Sequence, residues 1–426
     1  MPELPTITVY SDGCGLCRDT VSIMRRAAGK DADHVEERRI DDTPKGVISE
    51  LGIRATPAIV FNDTLAHVGT PTAEDAAVLV KRAEIDRVIL RYSIPNSDAV
   101  QRFAQGKVPS EATARALANE FHPFCVQFPL FLAAAISHLK DDDTRMLLVH
   151  NLYEEHGNFL PERIHPALFR NFCQGVGLKV ETLDGHDNHS PGMLAAKMML
   201  DICREGPAGR ALAALYPVEL LFAPTCDLMV QGLRHLHLSP DAIDFWVLHS
   251  GKDVEHAEQL RKGLLRACGS PEEWEQAVGL AEDIAQMFFE LFDHIARASF
   301  LSSEEQLAVF DEVERLCSES PAFAQHPVDH KSAAYYTSLQ AGKGGRWFLR
   351  ALGDGERRSL VSRFSVEHSR RLAPGFEVGA APRVFGKSRI FYHSFEQLKE
   401  LKDFVRAAFE EEAKHAGSPH DEHVRP

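Results

Sequence analysis

The spacing of apolar residues divides the chain into three stretches of different character. In the first, short apolar runs alternate with amphipathic segments. TITVY (6–10), HVEERRI, AIVFN behind Pro57, and LAHVG read as strands, while DTVSIMRRAAG, PKGVISELGI and TAEDAAVLVKRAEI read as helices. The order strand, helix, strand, helix, strand, strand, helix predicts a small α/β unit over residues 1–88. Residues 89–108, with the polar run RYSIPNSD, read as a linker that ends at Pro109-Ser110. Beyond it the period is helical throughout, over 111–139, 143–156, 163–176, 190–204, 207–237, 240–267 and 271–298. No strand alternation interrupts it, and Pro129 and Pro217 are expected to kink two of the helices. The spacing therefore predicts an all-α bundle over 109–300. Residues 301–426 are expected to form a mainly helical extension of unknown fold. It has a helix from Ser302-Ser303, amphipathic helices in WFLRALGDGERRSLVSRF, a strand pair in RVFGKSRIFYH and a helix over 395–415. The fold class is multidomain α+β.

Composition narrows the function. The net charge of -15 disfavours a nucleic-acid partner, because phosphate contacts need clustered Lys and Arg. The one locally basic stretch, Lys343, Arg346, Arg350, Arg357, Arg358, Arg363, Arg370 and Arg371, reads as solvated helix faces, with an anion site as the lesser alternative. There is no apolar run of membrane-spanning length, and the N-terminus lacks the basic and apolar regions of a secretory signal. Apart from one CxxC pair the eight cysteines are scattered, which suits a reducing cytoplasm rather than a disulfide framework.

The CxxC pair, Cys14-Gly-Leu-Cys17, falls where a strand runs into a helix. The positive end of the helix would lower the pKa of Cys14, and Cys17 one turn inward could resolve a mixed disulfide. Half a zinc site is the weaker reading, because no second CxxC or close CxxH follows. Together with Thr56-Pro57 in the expected order, the stretch resembles the thioredoxin/glutaredoxin family. That resemblance implies a thioredoxin-like fold, redox roles for Cys14 and Cys17, a cis Pro57 against them, and a thiol reductant such as glutathione or a reductase. The Gly-Leu dipeptide departs from both common family versions.

In the bundle, HSGKDVEH places His249, Asp253 and His256 at i, i+4 and i+7, on one helix face. Carboxylate with imidazole is a donor set for iron, manganese or zinc. Three further candidates lie on helices elsewhere: Glu155 in NLYEEHG (151–157), His165 in HPALF, and Glu219, a lone carboxylate in YPVELLF. Burying Glu219 there is costly unless it is paired or metal-bound. Three carboxylates and three imidazoles suit two divalent ions held between helices. The order and spacing of these pieces resemble the haem-oxygenase-like diiron oxidase and oxygenase family. The resemblance implies two Fe(II)/Fe(III) ions (manganese being the substitute), ligands at Glu155, His165, Glu219, His249, Asp253 and His256, and O2 activation. It also implies oxidation of a small amine, amino acid or fatty acid, often in natural-product biosynthesis. By motif position Glu155 rather than Glu154 is the bridging carboxylate; Glu120 is the candidate for an extra ligand on the first core helix, and Glu162 an alternative beside His165. The fused thiol domain is expected to supply electrons. Two other readings stand beside this one: a thiol-disulfide oxidoreductase with a helical ligand- or partner-binding domain, and a non-catalytic metal-binding protein. The pairs Glu162/His165 and Glu412/His415 also fit the ferritin-like Glu-x-x-His spacing, the second within a highly charged terminal stretch.

Overall fold

The computed structural model describes residues 6–108, 110–179, 191–297, 303–332, 336–341, 347–354, 357–381 and 386–414. His415, Lys343 and Arg346 lie outside the described residues, and so does the side chain of Asp253.

The N-terminal unit holds β1 (Ile7–Ser11), α1 (Gly15–Ala28), β2 (Val35–Arg39), α2 (Lys45–Glu50), β3 (Ala58–Phe61), β4 (Thr64–Val68) and α3 (Ala73–Leu90). The sheet order is β2-β1-β3-β4, with β1 parallel to β2 and antiparallel to β3. Alternation along β1 and β3 sends Ile7, Val9, Ile59 and Phe61 to one face, against Val21 and Met24 of α1 and Ala76 of α3. Tyr10, Ala58 and Val60 face the other side. Asn62 and Asp63, both at positive φ, make the β3–β4 turn, a conformation these residue types tolerate. Thr72 and Asp75 close a reciprocal capping box on α3.

The bundle holds α4 (Asp98–Ala104), α5 (Ser110–His138), α6 (Asp142–Glu155), α7 (His165–Gly175), α8 (Pro191–Glu205), α9 (Ala208–Arg234), α10 (Pro240–Ala267) and α11 (Pro271–Arg297). Helix α9 is long and apolar enough to cross a membrane by composition, yet it is the buried central helix. Stretch 89–108 is not a linker. Ile94, Val100 and Phe103 are buried in the bundle core, and Ser97 caps α4 while donating to Asp293 at 2.6 Å. Its polar residues cap and pair, which hides its packing role from composition.

Helix α3 belongs to both units. Ala76 and Ala83 pack under the N-terminal sheet, whereas Ile85, Val88 and Ile89 enter the bundle core. Asp86, also buried, accepts from the Tyr216 hydroxyl of α9 and pairs with Arg261 of α10 at 3.3 Å. Glu84 accepts from the Trp274 indole at 2.7 Å.

The C-terminal region departs from the mainly helical expectation. Beside α12 (Ser303–Cys317), α13 (Val366–Leu372), α14 (Phe395–Glu400) and α15 (Lys402–Ala413) it carries β5 (Val328–Ser332), β6 (Tyr336–Ala341), β7 (Trp347–Asp354), β8 (Arg357–Ser362), β9 (Val378–Ala380) and β10 (Ser388–Tyr392). These form one antiparallel sheet of order β5-β6-β7-β8-β10-β9. WFLRALGDGERRSLVSRF is a hairpin, not a pair of helices. Residues on both faces of β7 are buried, so its apolar run has no alternation to betray a strand. Arg350 is likewise no solvated residue; it is fully buried, with its guanidinium over the Trp347 ring at 4.2 Å.

Candidate metal centre

Helix α6 ends at Glu155 because Gly157 and Asn158 take positive φ. A Cβ at Gly157 would lie 2.4 Å from the Arg163 carbonyl carbon, so only glycine lets the chain fold back there. The return brings His165, first residue of α7, onto Glu155: Nδ1 is 2.9 Å from Oε2. Although buried, that Nδ1 has no hydrogen-bond partner.

His249 completes the group. Its Nδ1 lies 2.7 Å from the Phe245 carbonyl one turn back, which leaves the Nε2 lone pair for the site. The His165 and His249 rings meet edge to face, with centroids 4.5 Å apart. One donor atom each from Glu155, His165 and His249 falls within 4.8 Å of the others, and all three residues are buried. Burial pulls the His249 pKa down to about 3, helped by the neighbouring His165. Burial pushes the Glu155 carboxyl upward, but His165, His249 and His256 outweigh it and hold it below its ordinary value. An anionic carboxylate and a neutral imidazole converging on one point fit a divalent first-row metal ion.

Glu219 and His256 stand beside this group in different poses. Glu219 accepts from the Asn151 amide at 3.0 Å and lies 3.5 Å from His256 Nδ1. His256 Nε2 is 2.7 Å from Glu154, so the first carboxylate of the EE pair is the outer partner of that ring. Glu120 sits elsewhere: it is buried, but accepts from the Gly192 N–H at 2.8 Å and from Asn119. Glu162 is exposed in the turn between α6 and α7.

A cavity of about 30 Å³ adjoins the group, lined by Phe121, Phe124, Phe128, Phe222 and Phe245, with Glu155, Glu219 and His249 at its polar end. That is room for roughly two waters. Cys125 also lines the cavity, and neither this thiol nor the aromatic wall is marked by any motif in the sequence.

At the other site, Thr56-Pro57 is cis and the Thr56 hydroxyl donates to Asp12 at 3.1 Å. Asp12 also accepts from the Cys14 N–H at 2.8 Å and the Cys17 thiol at 3.2 Å. The expected lowering of the Cys14 pKa is overturned. The Cys17 backbone N–H pulls it down, but the Asp12 carboxylate and the Cys17 thiol raise it overall. Asp12 went unnoticed in the sequence, although an Asp-Gly turn two residues before the motif is the signal. Cys14 is exposed at the start of α1, whose 14 residues run about 21 Å. The junction with the bundle lies past the opposite end, where Arg87 of α3 meets Asp31 at 3.8 Å.

Fold and site together define a haem-oxygenase-like helical domain set behind a thioredoxin domain. Residues 115–288 match the family model described as an iron-containing redox enzyme, and residues 5–81 match a thioredoxin domain. Among named relatives, 4-aminobenzoate synthase of Chlamydia muridarum is 21% identical over 212 residues, 49% of this chain and 87% of its own. The 4-chloro-allylglycine synthase of Streptantibioticus cattleyicolor is 24% identical over 156 residues, 37% of this chain and 60% of its own. A solved domain of unknown function with a heme oxygenase-like fold, from Shewanella denitrificans, is 18% identical at a TM-score of 0.40, covering 50% of this chain and 88% of its own.

Proposed function

We propose that the chain is an O2-dependent non-haem diiron oxidase or oxygenase acting on a small organic substrate. The observation that carries this reading is the buried, convergent set Glu155, His165 and His249 at the mouth of an aromatic cavity. These three would hold one ion. Glu219, Asp253 and His256 would hold the other, with His256 turning from Glu154. Iron bound there would supply O2 activation. The protein's own part is positional. Phe245 fixes the His249 ring through its carbonyl, Asn151 holds Glu219, and the phenylalanine wall keeps water from the reacting face. The names of the two relatives point to an amino-acid or aromatic-amine substrate of natural-product type. The cavity is apolar except at its metal end and, with room for roughly two waters, would have to widen between the phenylalanine rings to take a molecule of that kind.

The thiol domain would serve as electron source through a soluble carrier, since Cys14 opens to solvent about 21 Å along α1 from the end near the junction. The experiment is iron quantification in purified protein, wild type against His249→Ala and Glu155→Ala, with substrate-stimulated oxygen uptake. Each variant should lose at least half of the bound iron. Full iron retention in both would overturn the assignment. The exposed Cys14 beside cis Pro57 favours a second reading, a thiol-disulfide oxidoreductase, which predicts Cys14-dependent disulfide reduction indifferent to iron.

A further inference from the structure

The carboxylate packed against the CxxC pair is out of place in a purely nucleophilic thiol site. A negative charge there disfavours the thiolate that attacks a disulfide. Asp12 is nevertheless held in position from three sides, by the Cys14 N–H at 2.8 Å, the Thr56 hydroxyl at 3.1 Å and the Cys17 thiol at 3.2 Å. A divalent cation reverses the sign of the problem. It draws both thiols into their thiolate form, and the carboxylate then adds to the attraction.

The geometry fits. The two sulfurs are 3.4 Å apart, Cys17 Sγ is 3.2 Å from Asp12 Oδ1, and one ligand atom from each of the three residues lies within 4.8 Å of the others. Tetrahedral zinc, with bonds of about 2.3 Å to sulfur and about 2.0–2.2 Å to oxygen, needs edges of about 3.8 Å between sulfurs and about 3.5 Å from sulfur to oxygen. Opening the sulfur–sulfur and Cys17–Asp12 edges by a few tenths of an ångström brings both to those lengths. Asp12 and Cys14 are exposed while Cys17 is buried, so the fourth position faces water. Two guanidiniums at the loop have partners other than Asp12: Arg18 donates to the Gly13 carbonyl at 2.6 Å, and Arg39 pairs with Asp41 at 3.4 Å.

We propose that Asp12, Cys14 and Cys17 form a metal site separate from the bundle centre, a three-ligand seat for a thiophilic divalent cation such as zinc. The same two sulfurs serve either the ion or thiol exchange, so occupancy switches the domain's thiol chemistry off. This site does not depend on the reading of the bundle centre. Soft sulfur ligands set it apart from the carboxylate and imidazole set there.

The test is a cobalt(II) titration of the reduced full-length chain, read by thiolate-to-cobalt charge-transfer absorbance in the near ultraviolet and then by displacement with zinc. One thiolate-bound cobalt per chain is expected, absent in Cys17→Ser. Asp12→Asn, an isosteric change at an exposed position, should weaken binding at least tenfold. Zinc should protect Cys14 from alkylation in the wild type, and at the same zinc concentration fail to do so in Asp12→Asn. Cys125 is unchanged in every variant, so its contribution cancels. No Cys17-dependent band in the wild type, or undiminished affinity in Asp12→Asn, would overturn the proposal.

Discussion

Replacing Asp86 by Ala tests whether the two N-terminal units are joined by a buried ionic contact. Asp86 and Arg261 are 5% and 6% exposed, and their side chains meet at 3.3 Å. Removing one partner of a buried pair costs about 3–5 kcal/mol, because the other charge is left without compensation. Two features set the value within that range. Arg261 keeps a second partner, the half-exposed Glu258, which softens the loss. Burial also pushes the Asp86 carboxyl upward against the pull of Arg261, so much of the pair's attraction only offsets desolvation. Against these, the Tyr216 hydroxyl loses its acceptor in a fully buried position, at about 1–3 kcal/mol. The expected net loss is about 3–4 kcal/mol. Urea unfolding followed by the fluorescence of Trp246 and Trp274, both buried in the bundle, measures it. Adding Arg261→Met should recover part of the loss, since it removes the uncompensated Arg261 charge, while Tyr216 and Arg82, which also meets Asp86 at 4.0 Å, still lack their carboxylate. A loss under about 1 kcal/mol, or a double variant no better than the single, would refute this account of the junction.

Phe222→Ala removes a ring packed between Phe121 and Phe245 and should cost about 3–5 kcal/mol in chemical denaturation while enlarging the cavity for bulkier substrates. Gly192→Ala sets a Cβ 1.7 Å from the Glu120 carbonyl oxygen, so α5 and α8 must part; a loss of about 1–3 kcal/mol is expected in the same assay. Arg163→Ala breaks an exposed pair with Asp244 and should change stability by no more than about 1 kcal/mol. In metal-free protein, His249 and His294 are both held neutral by burial, with pKa values below the ordinary range. The unfolded chain takes up protons from about pH 6.5 downward while the folded one does not. Urea midpoints should therefore fall progressively as the pH drops below about 6.5; a flat profile down to pH 5 would contradict it.

Much of the fold was legible because its signals are local. The strand-helix order of 1–88 follows from alternation, and the bundle from unbroken helical spacing. The candidate centre was legible because carboxylates and imidazoles on apolar backgrounds are costly without a purpose: Glu155, His165 and His249 do converge. What escaped depended on contacts between distant segments. Nothing local in WFLRALGD says that both faces of β7 will be covered, or that Arg350 will find an indole to stack on. Ser97 looks like linker polarity until Asp293, nearly two hundred residues away, accepts its hydroxyl. The turn of His256 toward Glu154 is a side-chain choice that residue spacing leaves open. The sign of the Cys14 shift depended on Asp12, which folds back onto a motif whose helix end alone argued the other way.

If the chain combines dithiol and oxygen chemistry as proposed, the length of α1 has a consequence. Oxidants released near a reactive sulfur pair would consume it, discharging reducing equivalents uselessly. Here the exposed sulfur sits at one tip of a rod about 21 Å long, and the bundle begins beyond the other. The buried Asp86, Tyr216 and Arg261 network keeps that spacing from collapsing. Under the proposed function the arrangement is that of an insulated circuit, in which the two ends would communicate by a diffusing carrier and geometry would prevent a short between them.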